Sequence, residues 1–190
     1  MTTAAVTPAV TPAALSGTYV IDPSHSRIGF VARHAMVSRV RGSFAEFTAT
    51  ADLDFEDPSR STASVQISAA SIDTGQAQRD EHLRTNDFFD VPSFPTWTFT
   101  STSVEAKGDD QFVLHGDLTV KGTTRPVSLD VEHTGTATDA YGNLRAGFEG
   151  RATINRKDFG VVWNAPLEAG GVLVSDKIVL ELDVSAIRQQ

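Results

Sequence analysis

Apolar and polar residues alternate with a period of two along most of the chain, the signature of strands that bury one face. In "FVLHGDLTV" the residues Phe112, Leu114, Leu118 and Val120 share one face, while Val113, His115, Asp117 and Thr119 share the other. The same reading sets Val127, Leu129 and Val131 against Ser128, Asp130 and Glu132, and Phe148, Ala152 and Ile154 against Glu149 and Arg151. It also sets Ile178, Leu180, Leu182 and Val184 against Lys177, Glu181 and Asp183. Upstream, Ile28, Phe30, Ala32 and His34 share parity, as do Val65, Ile67 and Ala69, and likewise Trp97 and Phe99. One segment breaks step: Val40 and Phe44 lie on one parity and Phe47, Leu53 and Phe55 on the other. A bulge or bend near Ala45 and Glu46 would return both halves to the same face.

Turn signals separate these strands, among them Asp22-Pro23, Asp57-Pro58, Lys121-Gly122, Tyr141-Gly142-Asn143 and Gly170-Gly171. The pattern predicts an all-β domain of about eight antiparallel strands, and closure into a barrel would remove the exposed edges that such a sheet otherwise leaves. One helix is expected, over residues 75 to 85, with Asp73 ahead of Gln76 as a loose capping box and Asp80 and Arg84 spaced for an ion pair. Placed mid-chain among strands, it would lie over or into the open end of the barrel. Residues 1–16, rich in Ala, Thr and Pro, read as a flexible tail in which Pro8 and Pro12 favour extended backbone. Residues 17–190 form one domain.

Composition narrows the function. The formal charge of −8 argues against a nucleic-acid partner, which basic patches would serve. With no cysteine there is no disulfide framework and no thiolate ligand. No secretory signal and no apolar run of transmembrane length is visible, so the default expectation is a soluble protein in the cytoplasm, with a homodimer possible.

Five histidines match no zinc spacing, and no nucleophile elbow or phosphate loop appears, so neither a metal nor a catalytic set is expected. His34 stands apart because its parity puts it inside, where a buried imidazole needs a partner. The positive feature is an apolar interior: eleven Phe and two Trp, with small residues such as Ala32, Gly42, Ala49, Gly116 and Gly150 on the same parity that would leave room. Eight strands can enclose a packed core or a small ligand.

Four stretches, "YVIDPSHSRIGFVARHAMVSRVRGSFAEF", "RDEHLRTNDFFDVPSFPTWTF", "GDLTVKGTTRPVSLDV" and "INRKDFGVVWN", resemble in order the signatures of the YceI-like family of lipocalin-like polyisoprenoid-binding proteins. The resemblance covers residues 17 to about 187. It implies an eight-stranded antiparallel lipocalin-like barrel with a helix near its mouth, and a lumen for a long-chain isoprenoid or other lipid, without a cofactor.

Combined with the parity reading, this gives an expected lumen wall of Phe30, His34, Phe44, Phe47, Val65, Ile67 and Trp97 in the first half of the chain. The second half adds Phe99, Phe112, Leu114, Phe148, Ile154, Ile178 and Leu180. Arg79, His82, Arg84, Phe88 and Phe89 are expected at the mouth, with the arginines suited to an anionic head group. The alternatives are an enzyme with His34 as base and a filled-barrel scaffold.

Overall fold

The computed structural model describes residues 11–190. After a single helical turn, α1 (Pro12–Leu15), the chain forms eleven strands: β1 (Gly17–Ile21), β2 (Arg27–His34), β3 (Ser38–Phe44), β4 (Phe47–Leu53), β5 (Thr62–Ser68), the two-residue β6 (Ile72–Asp73), β7 (Thr96–Ala106), β8 (Gln111–Val120), β9 (Thr123–Thr138), β10 (Leu144–Asn155) and β11 (Lys177–Arg188). A second helix, α2 (Ala77–Arg84), follows β6. Two pairs of these strands are bent halves of one strand. β1 and β2 share the edge of β11, pairing at Tyr19–Arg188 and at Leu182–Ile28, and on their other side they meet β4 and β3. Counted so, and with the two-residue β6 left aside, eight antiparallel strands close into a barrel. The anticipated break occurs between β3 and β4, where Ala45 N–H donates to Ser71 O and Glu46 N–H to Ser71 Oγ instead of to a neighbouring strand.

Alternating strand directions put the connections at two ends. At one lie the β2–β3 turn, the segment 69–95 with α2, the β8–β9 turn and the long loop 156–176; at the other lie α1, the β4–β5 loop, the β7–β8 turn and the β9–β10 turn. Among the described residues no helix is long and apolar enough to cross a membrane. Two local expectations differ. The turn Pro12–Leu15 is helical and docked, because Pro at N1 starts a helix at little cost and Tyr19 Oη and Arg188 Nη1 donate to the carbonyls of Leu15 and Ala14. Residues 1–10 of the expected tail lie outside the described residues. In α2, Asp73 accepts from Gly75 N–H and closes no capping box, and Asp80 and Arg84 form no ion pair with each other.

Inside, aromatic rings lie across glycines. A Cβ on Gly116 would fall 2.3 Å from the Phe99 ring, and one on Gly42 would fall 2.6 Å from Phe30. These two glycines therefore seat rings and leave no free room, a correction to their expected role; Ala32, Ala49 and Gly150 line the cavity, although a Cβ on Gly150 would fall 3.1 Å from Leu182. Outside, Arg145 ties the β1–β2 corner to the β9–β10 turn: its Nη1 donates to Asp22 Oδ2 and its Nε to Asp139 Oδ2, both at 2.8 Å. The guanidinium, ahead of His25, holds the Asp22 carboxyl well below the usual carboxylate range, and it is also the leading cause for Asp139, with Asn143 adding to it.

Two outcomes follow. Gly116→Ala should lower the unfolding free energy by about 1–3 kcal/mol in urea titrations, because the Phe99 ring must move. For Arg145→Gln the carboxylates return toward their ordinary range. Their depressed folded-state pKa contributes stability above about pH 4, and that contribution fades as pH falls further. The melting-temperature gap between the parent and Arg145→Gln should thus be widest near pH 7 and narrow below about pH 4; a gap independent of pH would refute this reading.

Candidate functional site

The barrel holds a cavity of about 540 Å³ whose wall is almost entirely carbon. Its two ends differ in kind. At the α2 end Phe88, Phe89, Phe159 and Val161 line the cavity yet are buried, so this end is plugged. At the other end the lining residues Pro12, Asp109 and Asp110 are exposed and Phe55 and Ser61 half-exposed, so the cavity opens there. The helix thus lies at the end of the barrel opposite this opening and closes the lumen at its base. A short helix whose following residues are Phe88 and Phe89 inserts those rings where eight strands leave a hole.

The plug is latched by polar groups. Buried Asp80 accepts from Thr74 N–H at 3.0 Å and Thr74 Oγ1 at 2.6 Å. Arg79 donates to Thr74 Oγ1 and Thr74 O, and Arg84 donates to the carbonyls of Ala70 and Ile72. His82 Nε2 meets Asp87 Oδ2 at 2.8 Å while its ring packs edge-on to Phe88 and Trp163. Arg79, His82 and Arg84 do not line the cavity, whereas Phe88 and Phe89 do, from the plugged end. Trp97 joins plug to wall, its indole lying edge-on between Phe44 at 4.8 Å and Phe89 at 4.7 Å.

Of the expected wall, Phe30, Phe44, Val65, Ile67, Trp97, Phe99, Phe112, Leu114, Phe148, Ile154, Ile178 and Leu180 all line the cavity. Phe47 is buried in the core without reaching it. His34 is the clear departure. It is exposed, because the last residues of β2 run past the barrel rim and bridge to Val174, so parity with Phe30 no longer implies an interior place. The buried cation on this path is Arg156, 5% exposed at the plugged end, where it donates to the carbonyls of Ser175, Val161 and Trp163 and lies 3.5 Å from Asp176. Burial outweighs Asp176 and lowers its pKa.

The mouth holds a group that the alternation reading stopped short of. His133 continues the inward parity of Val127, Leu129 and Val131, lines the cavity, and packs between Phe55 and Phe148 at 5.3 and 5.2 Å. Its Nδ1 lies 3.2 Å from Asp110 Oδ1, while its buried Nε2 has no hydrogen-bond partner among the described residues. The charged residues lining this end, Asp54, Asp109 and Asp110, are all acids, with Arg60 3.4 Å from Asp54. Extending the β9 pattern by one step would have found His133.

The geometry defines a lipocalin-like barrel, a closed antiparallel sheet holding an apolar lumen open at one end. The chain belongs to the YceI-like family: the model of the YceI-like domain matches residues 19–186. A UPF0312 protein of Pectobacterium atrosepticum is 40% identical over 179 residues, covering 93% of this chain and 90% of its own. A UPF0312 protein of Pseudomonas aeruginosa is 39% identical with the same coverage. Among solved structures, the Campylobacter jejuni YceI protein superposes with a TM-score of 0.73 at 30% identity, covering 83% of this chain and 90% of its own. Two others share the fold: BcnA of Burkholderia cenocepacia, at 0.77 and 23% identity over 87% and 98% of the two chains, and a Saccharophagus degradans domain described as polyisoprenoid-binding, at 0.65 and 15% over 90% and 98%.

The latch predicts its own test. Asp80→Ala strands the Thr74 N–H and should lower stability by about 1–3 kcal/mol, with faster amide exchange across 77–94. Unchanged exchange there would show that Asp80 does not hold the plug.

Proposed function

We propose that the protein binds a long-chain isoprenoid or similar lipid, with the chain in the lumen and its polar end at the mouth. The observation that carries this is the apolar cavity of about 540 Å³ with a single open end. That volume lies within the range of about 300–1,000 Å³ found for small-molecule sites, and each methylene taken from water contributes about 0.8 kcal/mol. A fold neighbour described as polyisoprenoid-binding supports the same ligand class. The cavity counts against a filled scaffold. Between mouth and plug the wall presents no carboxylate or histidine, and His34, the base an enzyme would have used, stands outside, so a carrier is the better reading.

Gentle purification from the native host, native mass spectrometry and lipid extraction should recover a bound apolar chain. Phe112→Trp and Phe148→Trp, at half-exposed positions facing the lumen, should weaken a fluorescent polyprenyl probe at least about tenfold while the melting temperature barely moves, since overpacking penalties arise only where no space is spare. A parent that takes no probe, together with variants that lose several degrees, would show an ordinary core. Because the Arg79 and Arg84 side chains are committed to the latch, Arg84→Ala should lower stability and leave the ratio of affinities for anionic and neutral head groups unchanged.

A further inference from the structure

At the plugged end the β2–β3 turn carries an apolar cluster that the lumen does not use. Met36 and Val37 are 57% and 84% exposed, on a turn where Ala35 and Met36 take left-handed φ values of 49° and 59°. Side chains bearing a Cβ adopt that region at a cost. Val172, 40% exposed, is brought alongside by the Ala35 N–H to Leu173 O bond and the bridge from His34 to Val174. Val162, 62% exposed, belongs to the neighbouring segment, which is tied to the same strand by Leu173 N–H to Ala165 O and by Asn164 to Val174.

On β2 and β3 beside this cluster the charge is one-sided, while the hairpin that carries Val172 also carries the exposed Glu168. Arg33, Arg39 and Arg41 are exposed, and among the described residues their side chains make no ion pair and no hydrogen bond. Arg33 stands directly opposite Arg39 in the antiparallel register, a like-charge pair that costs stability. From Pro23 to Ala45 the sequence has four arginines and two histidines and no carboxylate, in a chain of net charge −8. Among the described residues β3 has no strand on its far side beyond its contact with β6 at Ser43 and Phe44, and arginines on such an edge deter strand addition. That accounts for Arg39 and Arg41. It does not account for Met36 and Val37, which would promote self-association beside them.

We propose that this tip docks the protein on an anionic bilayer surface, with Met36 and Val37 entering the interface and the three arginines meeting lipid phosphates. The tip and the mouth lie at opposite ends, so docking and lumen binding are independent and their tests can fail separately.

The test is co-sedimentation of the full chain with phosphatidylcholine vesicles made with and without phosphatidylglycerol. The protein should sediment with the anionic vesicles alone and be released by added salt. Met36→Asp with Val37→Asp should weaken this at least about tenfold, since both apolar anchors are lost. Replacing Arg33, Arg39 and Arg41 together by Gln should weaken it about a hundredfold, at roughly fivefold per charge. Neither variant should melt below the parent, and the Gln variant, relieved of the Arg33–Arg39 repulsion, should melt at the same temperature or slightly higher. Tyr141→Asp, on the exposed turn at the other end, should bind as the parent does. The proposal is overturned if the parent ignores anionic vesicles, if Met36→Asp with Val37→Asp binds unchanged, or if Tyr141→Asp loses as much. It is also overturned if the tip instead mediates a concentration-dependent dimer, seen by sedimentation equilibrium, without vesicle binding.

Discussion

A strand leaves unpaired N–H and C=O groups along each side, and the barrel depends on how β11 satisfies its second edge. Neither neighbour alone does so. β1 pairs with β11 at residues 186–188 and β2 at residues 179–183, with a corner at Asp22 to Ser26 between them. Within that corner Ser26 Oγ donates to Ser185 O and accepts from Ser185 N–H, so the ladder is carried across the gap by a side chain. The same bend recurs one strand over, between β3 and β4, where Ser71 supplies the substitute partners. Two serines thus allow both strands to turn without leaving buried backbone groups unsatisfied.

That double bend has a consequence for the lumen. Below it β2 and β3 diverge from β5 and β7, and the space between is filled by β6, α2 and the Phe88–Phe89 rings. Above it β1 and β4 stay within the closed wall, where Ala49 and Ala51 face the cavity. The two halves of one interior are therefore packed differently. Rings across Gly42 and Gly116 fill the half near the plug, whereas in the mouth half the short side chains Ala49, Ala51 and Ala63 of β4 and β5 face the cavity beside the rings of Phe55, Phe112 and Phe148.

Much of this was legible as alternation, since residue parity decides which face a side chain takes as long as the strand stays in the wall. Phe30, Leu114, Phe148 and Leu180 line the cavity for that reason. Parity says nothing about where a strand leaves the barrel, which is why His34 appeared internal, nor about which end is open. The apolar and charged halves of "QRDEHLRTNDFFD" suggested a mouth. In the folded chain the arginines find backbone carbonyls left free by the short β6, and those partners are set by tertiary contacts that no local pattern encodes. His133 was legible and lay just past the stretch in which alternation was strongest.

The distribution of charge completes the argument. The carboxylates that line the cavity gather at the mouth, whereas Arg156, the one buried cation near the lumen among the described residues, is spent on the carbonyls of the loop that helps to close the base. Polar groups are thus confined to the two ends of an apolar bore. A ligand lying along that bore is desolvated evenly over its length and meets hydrogen-bonding atoms only at its termini. Chain length and end-group chemistry, rather than contacts along the chain, are then the properties by which such a lumen can discriminate.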